Sequence, residues 1–138
     1  MLAIHWKRSE GEKLMARAIG IGGIFFKSRD PQALADWYAK HLGLTISDFG
    51  GAMFAEDAQR PGFTLWSPFK DDTKYFAPSD KPFMINFRVD DLDALLEQLR
   101  GAGVQVDSKV DKSEYGNFGW IMDPEGNRVE LWQPPAAT

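Results

Sequence analysis

Apolar residues recur along this chain with two periods, near two and near 3.6, and the periods follow one another in the same order in both halves. Ile19 to Ser28 alternates: Ile24 and Phe26 share one face, and Ile21, Gly23 and Phe25 the other, which predicts a strand bent at its glycines. Asp30-Pro31 then reads as a helix cap followed by a first-turn proline, and Leu34, Trp37, Tyr38 and Leu42 recur at helical spacing until Gly43. Leu44 to Asp48, Ala52 to Glu56 and Gly62 to Ser67 are predicted as three short strands. Residues 68–82 hold three prolines and no clear period, and read as a linker between halves in which Tyr75 and Phe76 either cover a pocket or pack on the surface. The order then returns. Phe83 to Val89 is a strand, Asp91 caps a helix carrying Leu92, Leu95, Leu96 and Leu99, and Val104–Val106, Tyr115–Met122 and Asn127–Gln133 are strands.

The last two strands are joined by Asp123-Pro124-Glu125-Gly126-Asn127, where aspartate at i, proline at i+1 and glycine at i+3 spell a type I turn. Closing it as a three-residue hairpin loop pairs Asp123 with Asn127, and so sets Met122 against Arg128, Ile121 against Val129, Trp120 against Glu130 and Phe118 against Trp132. Val129 and Leu131 then face a helix, while Arg128, Glu130 and Trp132 face the other way.

Laying Phe26-Lys27 over Phe87-Arg88 superimposes Asp30 on Asp91, Ala33 on Ala94 and Leu34 on Leu95, an internal repeat. The expected fold is therefore α+β, two βαβββ modules (18–67 and 83–133) whose sheets form an incomplete barrel with the helices outside. Alternation assigns Ile24, Phe26, Phe63, Leu65, Phe83, Ile85, Val129 and Leu131 to the helix side. It assigns Gly23, Phe25, Thr64, Trp66, Met84, Asn86, Arg88, Trp120, Glu130 and Trp132 to the concave side. Aromatic rings beside a few polar groups make that face a candidate pocket for a flat or hydrophobic ligand, the competing reading being a filled core.

At 138 residues, 43% hydrophobic and 26% charged, the chain suits one compact domain. A net charge of -4 with dispersed lysines and arginines argues against nucleic acid as a partner. No apolar run approaches a membrane span, and the lack of cysteine, which removes thiolate chemistry and disulfides, agrees with a cytoplasmic location. Met1 to Arg17 lacks the apolar core of a secretory signal and reads as a flexible extension, with Met15 a second candidate start.

The repeat, the Asp30-Pro31 helix ending in His41-Leu42-Gly43-Leu44, and above all Asp123-Pro-Glu-Gly-Asn-Arg-Val-Glu-Leu131 resemble the vicinal oxygen chelate superfamily, which includes glyoxalase I, bleomycin-resistance proteins and extradiol dioxygenases. The resemblance covers Ala18 to Pro134 and implies a ligand cavity and, commonly, a homodimer. In metal-dependent members the first strand of each module and the last strands supply ligands, and those positions here are Gly23, Thr64, Met84 and Glu130. Glu130 alone has a suitable side chain, so no metal and no other cofactor is expected. Of the two histidines, His5 lies in the extension and His41 near a helix C-terminus, where a surface or capping role suits it.

Glu130 is the candidate catalytic or ligand-anchoring group, unless it is half of an ion pair with Arg128 or Arg88. Phe25, Thr64, Trp66, Met84, Asn86, Arg88, Trp120 and Trp132 are the candidate ligand-binding residues. Three functions follow: a protein that binds a small organic molecule without a metal; a lyase, isomerase or dioxygenase using Glu130 as acid/base or an atypical metal site; or a non-catalytic dimeric interaction module.

Overall fold

The computed structural model describes residues 16–17, 21, 23–55, 57, 59–60 and 62–136. Most of the expected extension, His5, the start of the first expected strand and Glu56 lie outside them. The elements are α1 (Pro31–Leu42), β1 (Ile85–Arg88), α2 (Leu92–Gly101), β2 (Asp111–Ser113), β3 (Gly116–Met122) and β4 (Arg128–Gln133), an α+β arrangement. Among the described residues, no helix is long and apolar enough to cross a membrane.

Each helix starts where its cap dictates. Asp30 accepts from the Ala33 N–H with Pro31 at the first position, and Asp91 accepts from the Ala94 N–H. Gly43 ends α1 in the left-handed region, at φ 72°, where it costs no Cβ clash.

The sheet runs β1-β4-β3-β2, with β1 parallel to β4 and the other pairs antiparallel. The β3–β4 register is the one the turn predicts, from Met122 against Arg128 to Phe118 against Trp132, and the Asp123 N–H donates to the Asn127 carbonyl. Both helices cover one face. Leu34 and Tyr38 of α1, Leu92, Leu96 and Leu99 of α2, and Ile121, Val129 and Leu131 of the sheet form the main core. Burying each such leucine contributes roughly 1.5–3 kcal/mol. Gly119 lets α2 come close, since a Cβ there would stand 3.0 Å from Leu96 Cδ1.

The strands expected in the first half do not form ladders among the described residues. Residues 23–28 and 62–67 belong to no strand, and 44–55 holds only the isolated bridge Ile46–Ala52 around a tight turn. A strand exists through its neighbour, and alternation alone supplies none. The apolar side chains involved stay outside: Ile24 is 59% exposed, and Phe54 69%. In the second half Val104–Val106 reduces to a bridge between Val106 and Ile121, and β2, whose three residues are polar and exposed, was not foreseen.

Two polar clusters tie α1 to the 123–127 turn. Tyr38 donates to Asp123 Oδ2 at 2.8 Å, and Asp123 also accepts from Glu125 N, Asn127 N and Asn127 Nδ2. Burial, with the bond to Asp123, raises the Tyr38 hydroxyl well above the ordinary tyrosine range. Glu125 accepts from Ser28 Oγ at 2.8 Å and from the N–H groups of Arg29 and Asp30.

Candidate functional site

The face of the sheet away from the helices carries Phe118, Trp120 and Trp132, all buried, with Met84 and Tyr115 packed against them. Phe118 and Trp132 stack across β3 and β4 with ring centroids 6.1 Å apart. Trp132 Nε1 donates to the Tyr115 carbonyl. Among these rings lies the Glu130 carboxylate, 8% exposed.

Three neutral donors hold that carboxylate. Tyr75 Oη donates to Oε2 at 2.6 Å, Trp120 Nε1 donates to the same oxygen at 2.9 Å, and Asn86 Nδ2 donates to Oε1 at 2.7 Å. The pairing of Asn86 with Glu130 across β1 and β4, and of Trp120 with Glu130 across β3 and β4, brings two of the donors alongside. No ion pair involves Glu130 among the described residues. Arg128 turns instead to Asp107, with Nη1 and Nη2 at 3.3 and 3.4 Å from one oxygen, and its guanidinium lies 5.3 Å from the Trp120 ring centroid. Arg88 is exposed, its stem against Gly62. A carboxylate oxygen accepts about two bonds, so Oε1 keeps one acceptor direction free.

Tyr75 comes from the linker, and its ring meets Trp120 edge-on at 89°. Burial of its hydroxyl, and next the bond to Glu130, hold it well above the ordinary tyrosine range, so it stays protonated and can only donate to the carboxylate. Its signal in the sequence is one ring among three, with Phe69 and Phe76, in a linker without period, which fits surface rings equally well.

Of the sequence-derived candidates, Met84, Asn86, Trp120, Glu130 and Trp132 come together. Phe25, at 95% exposure, Trp66, at 76%, and Thr64 lie at the surface, outside the cluster around Trp120. Phe63, expected on the helix side, meets Trp132 on this face, with centroids 5.0 Å apart. Tyr75 packs on Trp120, Phe63 on Trp132 and Met84 against the cluster, so the face expected to be an open cup carries rings and a thioether over its aromatics. Space opens beside it instead, in a cavity of about 240 Å³ lined by Pro78, Gln105, Val106, Asp107, Trp120, Ile121, Met122 and Arg128.

The matched metal positions do not fit a transition ion. Gly23 has no side chain, Thr64 is exposed, Met84 offers a thioether, and the Glu130 oxygens are engaged by three donors. No three His, Cys, Asp or Glu side chains converge among the described residues.

No curated protein matches the chain. Among solved structures, the chain is similar to TnmS3, an antibiotic binding protein from Streptomyces sp. CB03234, at 23% identity over 87% of this chain and 100% of that one, with a TM-score of 0.54. A glyoxylase/bleomycin resistance protein/dioxygenase domain from Frankia sp. EAN1pec is similar at 15% identity, over 86% of this chain and 100% of that one, with a TM-score of 0.53. A protein of unknown function from Agrobacterium tumefaciens str. C58 reaches a TM-score of 0.57 at 19% identity, over 88% of this chain and 99% of that one. These likenesses are to a fold. The profile of the Glyoxalase-like domain matches residues 23–132, which includes both helices, the linker tyrosine and the Glu130 cluster, and the chain belongs to that family.

Proposed function

We propose that the protein binds a small organic molecule, without a metal, at the Trp120–Glu130 face and its adjoining cavity. The observation that carries this reading is Glu130: a buried carboxylate held by three neutral donors, with no ion pair among the described residues and one acceptor direction unused. A structural carboxylate is commonly matched by a cation. Here the matching groups are an indole, an amide and a phenol, the last on a linker that docks from outside. A ligand hydroxyl or amine would use the free direction at Oε1, and a flat ring would lie in the cavity beside Trp120. The fold shared with an antibiotic binding protein agrees with this reading.

The exposed apolar side chains of the first half, among them Phe25, Met53, Phe54 and Trp66, support a homodimer in which a second copy covers them. Light scattering should then give twice the chain mass.

The functional test is a thermal-shift screen of flat aromatic compounds bearing hydroxyl or amine groups, since binding to the folded state raises the midpoint. A hit should lose affinity about tenfold or more in Glu130→Gln, which keeps the shape and removes the charge. Hits whose affinity ignores Glu130 would refute its role as anchor.

A further inference from the structure

The linker that carries Tyr75 is attached to the rest of the molecule by little. None of residues 68–82 is buried, and among the described residues their backbone bonds only within the segment: Thr73 N–H to the Lys70 carbonyl, Ala77 N–H to that of Lys74, and Ser79 N–H to that of Phe76. Its rings pack on one another, Phe69 on Tyr75 with centroids 5.6 Å apart and Phe69 on Phe76 at 5.2 Å. A single hydrogen bond among the described residues ties the segment to the sheet, from Tyr75 Oη to Glu130 Oε2 at 2.6 Å. A ring 41% open to solvent is thus bonded to a buried carboxylate and set edge-on against a buried indole. A segment with few buried contacts and one latch opens far more readily than the fold as a whole. The latch also sets what an opening admits. Oε2 takes two bonds, from Tyr75 and from Trp120 Nε1 at 2.9 Å, and is full while the phenol stays.

We infer that residues 69–79 form a strap latched by Tyr75, and that its phenol holds the seat taken by the hydroxyl-bearing aromatic ring of the ligand when the strap lifts. This rests on the reading of the Trp120–Glu130 face as a small-molecule site, and gives that site a resident competitor. Like replaces like: the ligand O–H donates to Oε2, and its ring meets Trp120 as that of Tyr75 does. Because Oε2 is full in the closed form, such a ligand takes this seat in the open form alone and draws the population towards it. Its apparent affinity is the intrinsic one reduced by the fraction of molecules that are open. Pro78 lies on the strap and lines the adjoining cavity, so the same opening enlarges the space for a ligand bigger than a tyrosine side chain.

The probe is para-cresol, the tyrosine side chain without its backbone, with toluene as the same ring without the donor. On the full chain, Tyr75→Phe removes the latch bond and keeps the ring. Hydrogen exchange of the Trp120 indole N–H needs no ligand, and by NMR it should be about tenfold faster or more in Tyr75→Phe than in the wild type, the factor expected for losing one bond to a charged acceptor. Titration followed on the same signal should show saturable para-cresol binding, about tenfold tighter in Tyr75→Phe than in the wild type, with toluene about tenfold weaker than para-cresol or more. Tyr75→Ala empties the seat and should bind para-cresol at least as tightly as Tyr75→Phe. A para-cresol affinity in Tyr75→Phe equal to or below that of the wild type, unchanged indole exchange, or no para-cresol binding in either variant overturns the inference. In each of these cases compounds that bind through Glu130 leave the proposed function standing; no binding by any compound to any form sinks both.

Discussion

Replacing Glu130 with glutamine separates a ligand anchor from a buried ion pair, and the structure sets the size of the effect. In the wild type, three donors bond to a charged acceptor. Bonds to a charged group are worth about 1.5–3 kcal/mol each, against about 0.5–1.5 for neutral ones. Glutamine keeps an oxygen at the Oε2 position, so Tyr75 and Trp120 retain their bonds at neutral strength, a loss of about 1 kcal/mol each. Its amide nitrogen then meets Asn86, which is exposed and turns its own amide to accept at little cost. A neutral amide is also cheaper to bury than a carboxylate. The net expectation is a loss of about 1–2 kcal/mol, read by urea unfolding at neutral pH. Glu130→Leu is the control: it leaves three donors unpaired, at about 1–3 kcal/mol each for those that water cannot reach, and should cost clearly more than the glutamine variant. A loss of about 3–5 kcal/mol in Glu130→Gln would be the mark of a broken buried ion pair and would refute the neutral-donor account.

Tyr38→Phe should cost about 1–2 kcal/mol in the same assay, since it removes one of four donors to Asp123 and leaves the other three in place. Glu125 gives a pH signature. The N–H of Arg29, then Ser28 Oγ, and after it the N–H of Asp30 hold its carboxyl below the ordinary value of 4.5. A depressed folded pKa means that the stabilisation is complete above that value and is lost as pH falls through the folded one. The stability gap between wild type and Glu125→Gln should therefore be seen at pH 7 and shrink in acid below about pH 4; a gap that stays constant into acid would refute it.

Local chemistry was legible in the sequence. The β3–β4 register follows from Asp123, Pro124 and Gly126 alone, with Gly126 at φ 80° as the loop requires. Both helices follow from Asp30 and Asp91 as caps. The partners of Glu130 within the sheet, Asn86 and Trp120, share its face by alternation. What depends on distant pairing was not legible. The first half has the alternation of strands, yet a strand needs a neighbour that alternation does not specify, and Phe25, Thr64 and Trp66 remain outside the cluster. Arg128 stands two residues from Glu130 on the same face but bonds to Asp107, because the 104–107 segment runs beside β3 and brings that carboxylate within reach. Tyr75 reaches Glu130 from a linker without period, so nothing in its spacing marks it.

The attachment of α1 to the 123–127 turn sets an order of events during synthesis. Its polar contacts span up to 97 residues, from Ser28 to Glu125, and 85 from Tyr38 to Asp123. A ribosome delivers the helix long before the residues that hold it. Until the final hairpin emerges, Leu34 and Tyr38 lack Ile121, Val129 and Leu131, the sheet residues of their core, and the phenylalanines of the first half are presented beside them. Nascent chains stalled before residue 123 should accordingly be good clients for chaperones that bind apolar segments, and release should coincide with the appearance of Arg128 to Gln133 outside the exit tunnel.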